Sequence, residues 1–147
     1  MPLNDQITTL AQIRTIINEF RQKRGWKNED PKDAAISLAL EAAEVLEHFQ
    51  WISGEEVMKN PKIKAAIGEE ISDVVWWIVT LSDRLGIDVA AAFEDKVQKN
   101  AKKWPEELFD SNLSFEERKQ NYYRIKAAAR GGHPLYDPDD DDEEDES

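Results

Sequence analysis

The chain has 147 residues, 40% of them hydrophobic, with no cysteine and a formal net charge of -12. One domain of this length can bury a core, and the lack of cysteine excludes disulfides, thiolate metal sites and cysteine nucleophiles. The acidic charge argues against duplex nucleic acid as a partner, and the absence of a long apolar run or signal-like N-terminus predicts a cytoplasmic protein that does not enter membranes.

Hydrophobic residues recur every three to four positions, which predicts an all-α protein. Four helices with short connections favour a bundle. In chain order, these helices are expected from a cap at Asn4 or Asp5 to about Lys23, from a cap at Asp33 to about Trp51, from about Lys62 to Leu85, and from a cap at Asp88 to about Lys103. Gly25, Gly86 and Pro105 mark three of the ends.

The C-terminal part differs from the bundle. Ser114 followed by Glu117 forms a capping-box pattern, which predicts a fifth helix from Phe115 to about Arg130 before two glycines. The last eleven residues carry nine acids and no base, a composition that predicts disorder. The predicted organisation is a bundle over 1–105, a helical extension over 106–136 and an acidic tail over 137–147.

Two pairs of acids are the most informative feature of the predicted bundle. Glu41 and Glu44 lie on the second helix, and Glu70 and Asp73 on the third. Residues three apart on a helix are about 60° apart around its axis, so each pair shares a face. Like charges this close repel, so a counter-charge is expected. Carboxylates without histidine or cysteine suit Mg²⁺, with Mn²⁺ as a substitute.

Other interpretations of these acids remain open. Glutamate-rich helix faces are common without a ligand, so the chain could be a non-enzymatic bundle that binds a partner protein through acidic grooves. A di-iron centre is disfavoured, because Glu-x-x-His is absent: His48 is four residues after Glu44, and Val45 stands where the glutamate would be.

A basic face closes the fourth predicted helix. Lys96, Asn100 and Lys103 follow one another at i, i+4 and i+7, so they share one side. Lysines at a helix C-terminus are also favoured by the helix dipole. Beside a metal site, the same face could hold a triphosphate.

Three ordered segments within about residues 7–105 resemble the MazG-type all-α nucleoside triphosphate pyrophosphohydrolases, and among them the dCTP pyrophosphatase-like branch. The segments are residues 38–51 (LALEAAEVLEHFQW), 69–74 (EEISDV) and 96–105 (KVQKNAKKWP). The resemblance implies hydrolysis of a nucleoside triphosphate to the monophosphate and pyrophosphate, as house-cleaning of nucleotide pools. It also implies Mg²⁺ held by four catalytic carboxylates, Glu41, Glu44, Glu70 and Asp73.

The resemblance extends to the substrate-binding residues. It implies that Lys96, Asn100 and Lys103 touch phosphate and that Trp26 and Trp51 stack on the base, a contact that does not select a particular base. Trp77 stands where the dCTP branch often has tyrosine, so the preferred base stays open between dCTP and other pyrimidine nucleotides. Glu44 is a candidate general base, and Glu47 or Glu69 could orient water.

The resemblance also implies an oligomer, since single-bundle members are commonly dimers of dimers. The wide apolar faces of the predicted helices suit such an interface. On the third helix this face consists of Ile67, Ile71, Val74, Val75, Ile78, Leu81 and Leu85. We therefore expect a homotetramer, with a dimer as the next choice. A related enzyme acting on phosphoribosyl-ATP is a less favoured alternative.

Overall fold

The structure, a computed structural model, describes residues 3–26 and 30–129. In these residues all regular structure is helical and there is no strand, which confirms the all-α class. The helices are α1 (Leu10–Gln22), α2 (Pro31–Glu47), α3 (Gly54–Lys59), α4 (Pro61–Leu85), α5 (Val89–Lys103) and α6 (Phe115–Ala129), and a short 3-10 helix (Glu106–Leu108) precedes α6.

The chain forms two compact units, Met1–Val89 and Ala90–Ser147. In the first unit α4 is the central helix, because α2 packs along it and α1 and α3 also contact it. Each of these four helices contributes buried apolar residues, which are Ile17, Ala34, Val57, Ile67 and Val79. The core of the first unit therefore surrounds α4. The predicted domain limits at residues 105 and 136 stay predictions.

Local chemistry fixes both ends of α4. The side chain of Asn60 accepts hydrogen bonds from the backbone N–H groups of Lys62 and Ile63, and Pro61 occupies the first helical position. At the other end Gly86 has a φ of 65°, the left-handed conformation that glycine adopts at little steric cost. The predicted extent of this helix is confirmed to within one residue.

The predicted start of the first helix at Asn4 or Asp5 is wrong, because α1 begins at Leu10. Asn4 instead closes a separate turn, in which its side-chain oxygen accepts a hydrogen bond from the Gln6 backbone N–H. The helix is started by Thr9, whose hydroxyl and backbone form a capping box with Gln12.

Both predicted limits of the second helix are also wrong. Asp30 caps α2 three residues before the predicted cap, since its side chain accepts from the Lys32 backbone N–H. The helix ends at Glu47, so the residues up to Trp51 lie in a turn. The six-residue α3 was not predicted: it is too short for hydrophobic periodicity, and its only sequence signal is the capping box of Ser53 and Glu56.

In the second unit, the predicted bounds of α5 are confirmed and α6 begins at Phe115 as predicted. Ser114 and Glu117 form the expected capping box. An aromatic stack joins Trp104 to Tyr122, with ring centroids 5.2 Å apart. Arg130, the two glycines after it and the predicted acidic tail lie outside the described residues.

Within the described part of the chain, the helices are each too short or too polar to cross a membrane.

Candidate metal and substrate site

Packing of α2 on α4 brings three of the four predicted carboxylates together. Glu41 and Glu44 project from successive turns of α2, and Glu70 projects from α4. One carboxylate oxygen from each of the three lies within 4.8 Å of the others. Glu41 and Glu70 are half-buried and Glu44 is exposed, so the group opens to solvent on one side. We call these three residues the carboxylate cluster.

Asp73 does not belong to the carboxylate cluster. It lies on α4 one turn after Glu70, and its side chain is exposed. Its assignment as a metal ligand therefore stays a prediction.

Two ring nitrogens lie beside the carboxylate cluster. The indole Nε1 of Trp77 donates a hydrogen bond to Oε1 of Glu41 over 3.3 Å, and Nε2 of His48 lies 3.9 Å from Oε1 of Glu70. The sequence pattern connected Trp77 with the choice of base but not with Glu41, and it gave His48 no role beside Glu70. A signal existed in each case, because Trp77 is seven residues after Glu70 and His48 is four after Glu44, which are same-face spacings on a helix.

The predicted base platform Trp26 lies in a different environment. Trp26 is 52% exposed, and its ring centroid lies 6.2 Å from that of Phe20. Trp26 lines a cavity of about 310 Å³, together with Asn18, Arg21, Gln22, Asp83 and Arg84. Members of the carboxylate cluster do not line this cavity.

The second predicted platform, Trp51, is 91% exposed in the turn that follows α2. Within the described residues it has no ring contact with another aromatic side chain and lines neither of the two cavities near α1. Its ring faces are therefore accessible in the single chain. Base stacking on Trp26 and Trp51 stays a prediction.

The predicted phosphate contacts belong to the second unit. Lys96, Asn100 and Lys103 are exposed on α5, at the spacing that places them on one side of the helix. Nζ of Lys103 lies 5.0 Å from the ring centroid of Trp104, which is within cation–π range. Their contact with phosphate stays a prediction.

The carboxylate cluster fits a hard divalent cation. Its donors are all carboxylate oxygens, the ligands that such cations prefer. Oxygens on opposite sides of a cation are separated by about 4 Å for Mg²⁺ and about 5 Å for Ca²⁺. The spacing of the cluster thus allows one cation to contact all three side chains after small adjustments. The residues can bind a metal, and the spacing alone does not select among hard cations.

Comparison with known proteins agrees with this arrangement. The model of the MazG-like family matches residues 36–114, more than half of the chain. A crystal structure of a pyrophosphatase from Archaeoglobus fulgidus is similar to the chain, with 34% sequence identity and a TM-score of 0.62. The similarity covers 71% of this chain and 99% of that one.

Mammalian proteins are also similar to the chain. The dCTP pyrophosphatase 1 of Rattus norvegicus is 35% identical over 104 residues, which are 68% of this chain and 61% of the rat protein. The human dCTP pyrophosphatase 1 is 33% identical over 108 residues, 71% of this chain and 64% of the human protein. The chain thus spans less than two thirds of either mammalian protein. Because the family model covers most of its helices and a solved pyrophosphatase shares its fold, the chain belongs to the MazG-like family.

Proposed function

We propose that the protein is a metal-dependent nucleoside triphosphate pyrophosphohydrolase that releases the monophosphate and pyrophosphate. The observation that carries this proposal is the carboxylate cluster, in which two helices distant in sequence bring three oxygen ligands within 4.8 Å of one another. The names of the similar proteins support it, since two are dCTP pyrophosphatases and one is a pyrophosphatase.

The proposed cofactor is Mg²⁺, with Mn²⁺ as a substitute, held by Glu41, Glu44 and Glu70 together with Asp73. When bound, the cation supplies positive charge that offsets the phosphate charge and polarises the attacked phosphorus. Glu44 is the exposed member of the carboxylate cluster, so its carboxylate is accessible to accept a proton from an attacking water. Reaction by this route requires no covalent nucleophile from the protein.

The proposed substrate is a pyrimidine deoxynucleoside triphosphate such as dCTP, and the role is control of the nucleotide pool. The names of the mammalian relatives support this choice. The exposed rings of Trp26 and Trp51 are available for stacking, and the exposed Lys96, Asn100 and Lys103 are available for phosphate. A cytoplasmic location also stays a prediction.

The proposed assembly is a homotetramer, with a dimer as the second choice. Large apolar side chains on α2 support it, because Ile36, Leu40 and Leu46 are between 49% and 65% exposed in the single chain. Covering such side chains stabilises an interface by about 25 cal/mol for each Å² of apolar area removed from water. Sedimentation velocity would distinguish a tetramer, a dimer and a monomer.

The function is tested by measuring pyrophosphate release from a panel of dNTPs and NTPs with Mg²⁺. We expect turnover by the wild type and a loss of at least about a hundredfold in Glu41→Gln and Asp73→Asn, since each change removes a ligand charge. Glu19→Gln is the matched control, because Glu19 is an exposed carboxylate on α1 outside the cluster.

Circular dichroism and sedimentation establish that each variant is folded and assembled as the wild type is. If the folded wild type releases pyrophosphate from none of these nucleotides, the enzyme proposal is wrong and the partner-binding bundle becomes the better interpretation.

A further inference from the structure

We propose that Trp77 is a positioning residue that holds Glu41 in the orientation needed to bind the metal. The inference rests on the proposed metal site. Its basis is the hydrogen bond from Nε1 of Trp77 to Oε1 of Glu41, 3.3 Å long, partly buried and spanning 36 positions in sequence. The bond joins α4 to α2 at the carboxylate cluster.

A hydrogen bond that restrains one member matters in the carboxylate cluster because its members repel one another. Without a cation, three carboxylates within 4.8 Å favour side-chain rotamers that turn away from the centre. A hydrogen bond to one oxygen of Glu41 restricts this rotation before any ligand binds, so less order has to be gained on binding.

The indole of Trp77 is a neutral donor, and a neutral donor suits a carboxylate that has to bind a cation. A lysine or arginine would also hold Glu41, but it would offset the negative charge that attracts the cation. An indole N–H fixes the carboxylate and leaves its charge in place. Lysine and arginine side chains elsewhere in the chain do form ion pairs, for example with Asp83, Glu55 and Glu116.

The adjacent residue Trp76 is a tryptophan that has only packing contacts among those described, and it can be compared with Trp77. The ring of Trp76 meets the ring of Phe20 edge-on at 5.1 Å, and it lines a mainly apolar cavity with Ile13 and Val75. Trp76 and Trp77 are both half-buried on the same helix. They differ in that Trp77 donates to a member of the carboxylate cluster, so Trp76 provides a matched control.

Glu41 is the member of the cluster that is held in this way. Nε2 of His48 is 3.9 Å from Glu70, beyond hydrogen-bonding distance, and within the described chain the side chains of Glu44 and Glu70 have no hydrogen bond. Loss of the Trp77 donor therefore removes the one fixed orientation in the cluster.

The first experiment measures Mn²⁺ and Mg²⁺ binding to the full chain without nucleotide, by calorimetry and by electron paramagnetic resonance for Mn²⁺. We expect Trp77→Phe to raise the dissociation constant by about tenfold, the lower end of the range for outer-shell partners of metal ligands. Trp76→Phe should leave it within about twofold. Placing 3-benzothienylalanine at position 77, which keeps the ring shape but replaces N–H by sulfur, should reproduce the Trp77→Phe result.

Two results would overturn the inference in different ways. Wild-type affinity in both position-77 variants would show that the donor has no positioning role, although the metal site would stand. A wild type that binds neither cation would overturn the metal site and the inference together.

A second measurement uses the wild type and so does not depend on the folding of a variant. The five tryptophans give separate indole ¹H–¹⁵N resonances, and that of Trp77 is identified in a chain ligated from peptides of which only Trp77 carries an indole ¹⁵N label. We expect Mg²⁺ to shift the Trp77 resonance saturably, with the same dissociation constant as calorimetry, and to leave Trp76 nearly unmoved. A stationary Trp77 resonance at saturating Mg²⁺ would contradict the inference.

Discussion

The side-chain amide of Asn18 donates a hydrogen bond to Oδ2 of Asp83 over 3.2 Å and so connects α1 to the last turns of α4. Nε of Arg14 lies 3.8 Å from Oδ1 of the same carboxylate. Asp83 thus accepts a hydrogen bond from Asn18 and forms an ion pair with Arg14, both on α1. Because the side chains of Arg14 and Asp83 are each about one third exposed, water and salt weaken the ion pair.

Asp83→Ala should therefore lower the free energy of unfolding by about 1 kcal/mol, since it removes a hydrogen bond and a screened ion pair. Asp83→Asn keeps an acceptor for the Asn18 amide, so it should lower the free energy of unfolding by about half as much. Urea denaturation measures both changes, and Glu19→Gln on the exposed side of α1 is the control. Equal losses in the two Asp83 variants would show that the hydrogen bond contributes nothing.

Replacing two glycines of the first unit by alanine should change the stability of the fold in opposite directions. Gly86 has a φ of 65°, where an L side chain is strained, so Gly86→Ala should destabilise the fold by about 1 to 2 kcal/mol. Gly68 lies inside α4 with open space where a Cβ would be, so Gly68→Ala should stabilise it by up to about 1 kcal/mol. Thermal unfolding of both variants measures the difference, and a stabilised Gly86→Ala would contradict the left-handed cap.

The buried hydroxyl of Thr80 should reduce the stability of the core. Thr80 is fully buried on α4, and within the described chain its Oγ1 has no hydrogen-bond partner. Thr80→Val keeps the shape and removes the hydroxyl, so it should raise the free energy of unfolding by about 1 kcal/mol. The opposite change, Val79→Thr, puts a hydroxyl at a neighbouring buried position. It should lower the free energy of unfolding by about 1 to 3 kcal/mol. Urea denaturation compares them, and destabilisation by Thr80→Val would reveal a partner for the hydroxyl.

The cap of α6 should be sensitive to acid. Hydrogen bonds from the side chain and then the backbone of Ser114 lower the pKa of Glu117 in the folded protein. Since the folded-state pKa is below the unfolded one, the stabilisation is fully present above the unfolded pKa and is lost as pH falls through the folded pKa.

Ser114→Ala should therefore raise the pKa of Glu117 part of the way to its ordinary value, because the backbone hydrogen bond remains. Carboxyl ¹³C titration by NMR measures this change. The pKa of Glu56, which is lowered by Ser53, should not move and serves as the control. An unchanged pKa of Glu117 would mean that the side-chain bond is absent in solution.

The sequence predicted those parts of the fold that are set by local sterics. Pro61 and Gly86 have restricted or special backbone conformations, so the ends of α4 could be placed closely. The start of α1 could not, because Asn4 closes its own turn while Thr9 starts the helix, and both are good cap residues. Apolar residues after Glu47 continued the helical pattern although the helix had ended.

The candidate site also has a part that the sequence could predict and a part that it could not. Spacing within one helix was enough to place Glu41 and Glu44 on a common face. The approach of Glu70 and the bond from Trp77 depend on the rotation and offset of α4 against α2, which no single-helix pattern determines.

A cation bound at the carboxylate cluster, as proposed above, would make the stability of the first unit depend on its ionic environment. The members of the cluster come from two helices that the unfolded chain does not hold together, so a cation bound by all three favours the native state alone. Such a ligand stabilises the fold by an amount that grows with the logarithm of its concentration, about 2.7 kcal/mol at one hundred times the dissociation constant. Chelators would thus lower the melting temperature, and susceptibility to proteolysis would follow the supply of free divalent cation.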